Sequence, residues 1–509
     1  MRGRDAQPRR IRRQDLPGGG MIAMRAVRCG LSALLGASLL AACGQIGGPA
    51  APTPARAEGG VAVWASSADQ SRKLAALPRL ELVPAGAAQA GEVVIDPAVQ
   101  AQEIVGFGAA MTDASAHLFQ TVLSPSERDE LFAELFGSEG LGLSFVRIPI
   151  GASDFSSAHY SLDDVAPGQT DPALTHFSMA RVAAEQMPAL RAARAVNPDL
   201  TLMASPWSAP GWMKTSGSLI KGRLKPEHYP AYAAYFVRYL DAMEAGGLPI
   251  RYVTMQNEPD FEPADYPGMR ASAAERAAFF AGHLGPALAA RKSRVGILDW
   301  DHNWDLPQQP LGVLADPAAA AFVEGVAWHC YAGDSAVMAK VKAAHPDKDL
   351  FFTECSGGDW SPDWGDTLGW MTDNLIIATL RAGGKGALLW NLALDENRGP
   401  HLGGCGDCRG VVGIDSRTRA VTRNVEYYVL GQISRFARPG ARVVASSGGA
   451  PGLNFAALRN RDGTLVLLTH NATKGELPIS VRIGTSRFSA AIPGGEVMTF
   501  VWPDATGSP

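Results

Sequence analysis

At 509 residues, 46% hydrophobic and 19% charged, the chain is long enough for one large domain plus a smaller one, or for two to three of average size. A net charge of −4, with no run of like charges in the globular part, excludes the electrostatic footprint of a nucleic-acid binder or of a protein held on an anionic membrane surface. Six cysteines are too few for a disulfide scaffold.

Residues 1–20 are basic and Gly-rich and offer nothing from which to build a core. From Met24, MRAVRCG supplies positive charge and LSALLGASLLAA an apolar stretch of 12 residues. A bilayer-spanning helix needs about 20, so the stretch reads as a secretory signal. It ends in Leu40-Ala41-Ala42-Cys43, which resembles a bacterial lipoprotein signal cut before a lipidated cysteine. The plainer alternative is a secretion signal with an incidental cysteine. Residues 1–43 are thus expected to be a leader, with Met21 or Met24 as alternative starts, and 44–60 a Pro/Ala/Gly-rich tether. This implies an exported protein at the cell envelope, periplasmic or on the cell surface, touching membrane only through a lipid on Cys43.

Residues 61–95 (VAVWASS, LELVPAG, EVVID) are strand-like. From 96 to 428, eight short apolar runs alternate with helical stretches: EIVGFGAAMTD, LSFVRIPIG, LTLMASPW, RYVTMQNEP, RVGILDWD, GVAWHCY, DLFFTECS and GALLWNLAL. Continuous apolar runs suit parallel strands buried on both faces. Among the helical stretches, SPSERDELFAELFG has Ser124 placed to cap and Glu127 three residues on, the pattern of a capping box; PEHYPAYAAYFVRYLDAMEAGG and SAAERAAFFAGHLGPALAARK are amphipathic. The count fits a (β/α)8 barrel in the α/β class. A doubly wound dinucleotide fold is excluded, because GFGAAM lacks the third glycine of its phosphate turn. Residues 429–509 change to short, closely spaced strands with a hairpin signal at Asp462-Gly463, predicting an appended antiparallel β-sandwich that the 61–95 strands join.

Of the remaining cysteines, Cys330 and Cys355 are expected to be free. Cys405 and Cys408 form a C-x-x-C in a Gly-rich loop, read as a small disulfide ahead of free thiols or a metal site, which would need two further ligands.

In such a barrel the site lies where strands end. Run four ends in Gln256-Asn257-Glu258-Pro259 and run seven in Thr353-Glu354-Cys355. Two carboxylates facing across a cleft are the minimum for cleaving a glycosidic bond, one delivering a proton and the other attacking or activating water. Trp207, Trp212, Tyr331 and Trp390 offer flat apolar faces for sugar C–H groups, and Asp113, Asn257 and Asn391 offer directional hydrogen bonds. Arg147 and His329 are suited to hold Glu354 anionic. Singly, each has a plain structural reading: a strand-end Glu is usually a cap or a solvated charge, and a barrel Trp is usually core.

The motifs IVGFGAAMTDASAHLF, LGLSFVRIPIGASDFS, LMASPWSAPGWMKT, VTMQNEPDF, WHCY, FFTECSGG and WNLAL, in this order, resemble glycoside hydrolase family 30, the family of acid β-glucosidase (glucosylceramidase). The resemblance implies net retention, Glu258 as acid/base, Glu354 as nucleophile, and Asp113, Trp207, Asn257, Tyr331 and Trp390 as sugar contacts. It implies no metal and no cofactor. Glu258 is then expected to hold the higher pKa, with the carboxyls about 5–5.5 Å apart. The loop DENRGPHLGGCGDCRG and Cys330, where a tryptophan is usual, depart from the family pattern. The reading that follows is a glucosylceramidase-like β-glycosidase acting on a β-glucoside, glycolipid or β-glucan. Its alternatives are an endo-β-1,6-glucanase, a β-xylosidase, or a non-catalytic carbohydrate-binding lipoprotein. A metallohydrolase is disfavoured, since strand one ends Met111-Thr112-Asp113 rather than in an H-x-H pair.

Overall fold

The computed structural model describes residues 60–292 and 294–504. The expected leader, Cys29, Cys43 with its expected lipid and the expected tether through residue 59 lie outside the described residues. No helix among the described residues is long and apolar enough to cross a membrane.

The eight apolar runs form eight parallel strands that close into a barrel: Gly106–Ala110, Phe145–Ile150, Thr201–Pro206, Tyr252–Thr254, Gly296–Asn303, Val323–His329, Asp349–Glu354 and Gly384–Asn391. Alternation along each strand divides the side chains. Phe145, Met203, Tyr252, Leu298, Ala327, Phe351 and Leu388 turn inward and plug the barrel. Val146, Leu202, Val253, Val326 and Phe352 turn outward into the larger core beneath the helices. Both faces are therefore apolar, which is why the runs are continuous rather than alternating. The helix Pro125–Phe136 starts at the expected box, with the Ser124 hydroxyl accepting from the Glu127 N–H and the Glu127 carboxylate accepting from the Ser124 N–H.

At the mouth the alternation is broken on purpose-built slips. Pairing of the fifth and sixth strands steps from Trp300 to His302 against Ala327 and Trp328, leaving Asp301 as an extra residue. Trp300 and Asp301 both have left-handed φ, 77° and 51°. Asp299 and Trp300 consequently face the same outer side, where both meet Arg276, and Asp301 swings inward. Similar slips pass over Thr353 on the seventh strand and Trp390 on the eighth. Bulges of this kind re-aim side chains next to active sites.

The second unit of structure is a ten-stranded sheet built from both ends of the described chain. Val61–Ser66 lies between Ala75–Leu80 and the last strand, Val497–Pro503, and Val93–Glu103 lies between Arg442–Gly448 and Leu477–Ile483. Nearly all of its pairings are antiparallel, the exception being Val93–Glu103 with Leu477–Ile483. The ribbon folds over on itself as a sandwich. Phe488, near one edge, meets Phe500 and Trp502 from the other half at 5.3 Å between ring centroids. Gly463 takes φ 83° in the hairpin at Asp462-Gly463, a conformation that glycine adopts without strain. The strand Val61–Ser66 is buried on both sides. Val61, Val63 and Ala65 enter the sandwich core, whereas Ala62 and Trp64 enter the barrel's outer core. Trp64 packs on Phe436, and Gln432 on the helix Val425–Ser434 donates to Ser66.

Cys330 and Cys355 are not free: they form a disulfide. His329 pairs directly with Glu354 across the sixth and seventh strands, so the next residue of each strand is its neighbour's partner, with Cα atoms 5.4 Å apart. The sequence hid this because the two cysteines belong to different strand–helix repeats. Cys405 and Cys408 form the small disulfide expected of the C-x-x-C.

Candidate active site

Glu258 follows the fourth strand with φ 48°, a left-handed conformation that is strained for any side chain but glycine. Its N–H donates to the Asp301 carbonyl, 3.0 Å, which fixes this turn against the bulge on the fifth strand. Glu354 ends the seventh strand, almost wholly buried, where Arg147 Nη1 donates to Oε2 (2.5 Å) and the Tyr331 hydroxyl to Oε1 (3.0 Å). His329 lies between the two acids. Its Nδ1 is 3.2 Å from Glu258 Oε1 and 3.9 Å from Glu354 Oε1, so these oxygens are no more than about 7 Å apart.

Beneath them Asp301 organises the floor. One carboxylate oxygen accepts from Arg147 Nη2 (2.7 Å), Ser205 (2.5 Å) and Thr254 (2.9 Å); the other accepts from Thr353 (2.8 Å) and faces His329 Nε2 at 2.9 Å. Arg147 Nη2 also donates to Asn257 Oδ1, 2.7 Å, and its guanidinium lies over Trp207 and Trp390. Those two indoles stack at 4.9 Å between centroids. The open cavity above, about 540 Å³, is lined by Asp154, Trp207, Asn257, Glu258, Glu354, Tyr331 and Trp390, with Phe261 and Trp360 exposed at its rim.

Burial pushes the Asp301 carboxyl up, but the charges of Arg147 and His329 outweigh it and hold the group far below the ordinary carboxylate value. Burial pushes His329 down, yet Glu354, Asp301 and Glu258 raise it to about 9. Desolvation pushes Glu258 up, but His302 and His329 hold it low, whereas burial raises Glu354 despite His329 and Arg147. This reverses the order expected from sequence. The reason is that two imidazoles face Glu258, and His302 gave no sign of itself as a second one. A histidine raised from near 6.5 to about 9 adds stability that is complete below its unfolded value and is lost as pH climbs through the folded one. Thermal melts should accordingly show a midpoint that declines between pH 6.5 and 9, and His329→Gln should flatten that decline.

Of the residues singled out in the sequence, Glu258, Glu354, Trp207, Asn257, Tyr331 and Trp390 meet at this cavity, with Arg147 and His329 behind them. Asp113 does not. The first strand stops at Ala110, and Thr112 already caps the helix Asp113–His117. The Asp113 carboxyl therefore turns away from the mouth, accepting from Tyr160 (2.9 Å) and Gln186 (2.8 Å) beside a different cavity. Trp212 is likewise engaged elsewhere, donating to Asp163. Sequence reasoning missed Asp301, His302 and Asp154. Asp154 follows the second strand, where the rule that pointed to Glu258 applies equally. It is buried, its Oδ1 has no hydrogen-bond partner, and burial pushes its carboxyl well up.

Residues 104–437 match the TIM-barrel domain of glycosyl hydrolase family 30, and 440–500 match that family's beta sandwich domain. An endo-1,6-beta-D-glucanase of Aspergillus fumigatus is 34% identical over 431 residues, covering 79% of this chain and 86% of that protein. One from Neurospora crassa is 33% identical over 463 residues, covering 87% and 95%. The lysosomal acid glucosylceramidase of Mus musculus is 30% identical over 438 residues, covering 81% and 83%. A solved endo-beta1,6-glucanase superposes with a TM-score of 0.82 at 30% identity, over 88% of this chain and 100% of that one.

Proposed function

Because the chain belongs to glycosyl hydrolase family 30, and is by that membership a glycoside hydrolase, we propose that it cleaves β-1,6-linked glucan within the chain, with retention at the anomeric carbon. The observation that carries the glucan is the breadth of likeness to endo-1,6-glucanases. The two fungal enzymes are 34% and 33% identical against 30% for the glucosylceramidase, and the solved example superposes over 88% of this chain. The glucosylceramidase-like reading suggested by the motifs gives way to what stood as its alternative. An open cleft with exposed Phe261 and Trp360 suits a polysaccharide that continues past the cut.

Glu354 attacks the anomeric carbon while Glu258 protonates the departing oxygen; water, deprotonated by Glu258, then releases the sugar. A separation of no more than about 7 Å suits direct attack and falls short of most of the roughly 6.5–9.5 Å range that leaves room for an inverting water. In the free protein His302 and His329 hold Glu258 low, and His329, itself raised to about 9, stands with Nδ1 3.2 Å from Glu258 Oε1, placed to share a proton with it. A sugar that displaces solvent penalises the charged carboxylate, and so draws that proton onto Glu258. The Trp207–Trp390 stack, Asn257 and Asp154 then meet the ring and its hydroxyls. Anchoring through Cys43, supported by the Leu40–Cys43 pattern alone, belongs to the same proposal.

The experiment is a comparison of β-1,6-glucan, detergent-dispersed glucosylceramide and an aryl β-xyloside. We expect oligosaccharides to appear early from the glucan, with new reducing ends of β configuration by proton NMR. Release of glucose alone from chain ends, or faster turnover of glucosylceramide, would overturn the reading.

A further inference from the structure

Glu258 faces two imidazoles, and the hydrolytic cycle accounts for only one. His302 Nδ1 lies 3.6 Å from the same Oε1 atom that His329 Nδ1 approaches at 3.2 Å, and the three atoms are within 4.8 Å of one another. Around a tetrahedral ion with bonds of about 2.0–2.2 Å, ligand atoms stand roughly 3.3–3.6 Å apart. His302 is only 6% exposed and its Nδ1 has no hydrogen-bond partner, an uncommon condition for a buried polar atom. His329 carries Asp301 against its other nitrogen at 2.9 Å. A carboxylate in that position fixes the ring and strengthens Nδ1 as a metal donor once its proton is displaced.

We propose that Glu258, His302 and His329 form a binding site for a divalent transition metal of the zinc type, and that its occupation reversibly inhibits the enzyme. Two imidazole nitrogens and one carboxylate oxygen suit zinc or copper, whereas calcium and magnesium require oxygen ligands. His302 and His329 lie at the ends of neighbouring barrel strands, which bring their rings to the same carboxylate. The fourth position opens on the cleft. An ion there engages the Glu258 oxygen that must carry the proton and stands where the glycosidic oxygen has to pass. The binding half rests on geometry alone; the inhibitory half rests on the role of Glu258 proposed above.

The test titrates the metal-free full-length protein with Zn2+ by calorimetry, beside a turnover assay on β-1,6-glucan. Four of the six cysteines are in disulfides, and alkylation of Cys29 and Cys43 beforehand removes the other two as competing thiolates. We expect a micromolar site, loss of turnover in parallel with its filling, recovery with EDTA, and no effect of Mg2+ or Ca2+ at the same concentration. His302→Gln and Glu258→Gln, each checked for folding by its melt, should weaken zinc binding about tenfold or more. Unchanged affinity in both variants would place the ion on exposed histidines such as His176 and overturn the site. Binding lost in the variants, with wild-type turnover unaffected by zinc, would overturn the inhibitory half and leave the role of Glu258 in hydrolysis untouched.

Discussion

Glu354→Gly should lower turnover of an aryl β-glucoside by about 10⁴-fold or more, and added azide should restore part of it as the α-glycosyl azide. The azide occupies the space the carboxylate vacated and attacks once, so configuration inverts. Glu258→Ala should behave differently. With a good leaving group the first displacement needs no proton, so the glycosyl-enzyme accumulates; azide then attacks it from the opposite face and yields the β-glycosyl azide. With a poor leaving group the loss should be about 10²–10⁴-fold, the usual contribution of acid–base catalysis. The stereochemistry of the two azides is the measurement, read by NMR. Identical products from both variants would mean that the roles of Glu258 and Glu354 are wrongly assigned. Since Glu354→Gly leaves Arg147 without one of its acceptors, a melt beside each assay separates lost chemistry from lost fold.

Asp301→Ala should be the most destabilising single change at the site, although Asp301 touches no substrate in the mechanism. Its carboxylate faces Arg147, Ser205, Thr254, Thr353 and His329 at once. Removing it leaves a fully buried guanidinium and a buried imidazole short of their counter-charge. Breaking a buried pair from one side costs about 3–5 kcal/mol, or roughly three to five degrees in melting midpoint for a protein of this size. Activity should fall with it even at temperatures where the variant is folded. Arg147 orients Glu354 and Asn257, and His329 holds the proton beside Glu258. Asp301→Asn keeps the shape and loses the charge, so it should fall between wild type and alanine in differential scanning calorimetry and in kcat. An alanine variant with an unchanged midpoint would show that the polar floor is not organised through this carboxylate.

Most of the fold is legible in the sequence because period and burial agree. The eight runs from Phe107 to Trp390 are apolar on both faces, and only strands closed around one core and wrapped by helices satisfy that. Ser124 and Glu127 mark a helix start locally, and Asp462-Gly463 marks a hairpin in the same way. Glu258 and Glu354 were visible because each is a charge at the end of an apolar run. What was hidden is whatever depends on two distant segments meeting, or on a strand leaving its period. Asp301 sits within its run, where plain alternation would turn Trp300 inward; two left-handed residues reverse that, and nothing in DWDHN announces them. The Cys330–Cys355 bond follows from the register of His329 with Glu354, which is a property of the closed barrel rather than of either motif. Asp113 misled for a related reason. It stands close to the end of its run, yet the cap at Thr112 has already rotated the chain out of the mouth.

The strand Val61–Ser66 is hydrogen-bonded to Val497–Pro503 and is shared between two cores. A ribosome delivers the first of these segments and must make more than four hundred further residues before its mate exists. Until then Val61, Val63 and Ala65 have no place to go, so this strand is seated last although its other face belongs to the barrel. The same stitch means that a catalytic fragment cut at the boundary near residue 440 would carry a raw apolar seam along Val61, Val63 and Ala65. Recombining this barrel with a foreign sandwich therefore requires moving both ends of the chain together.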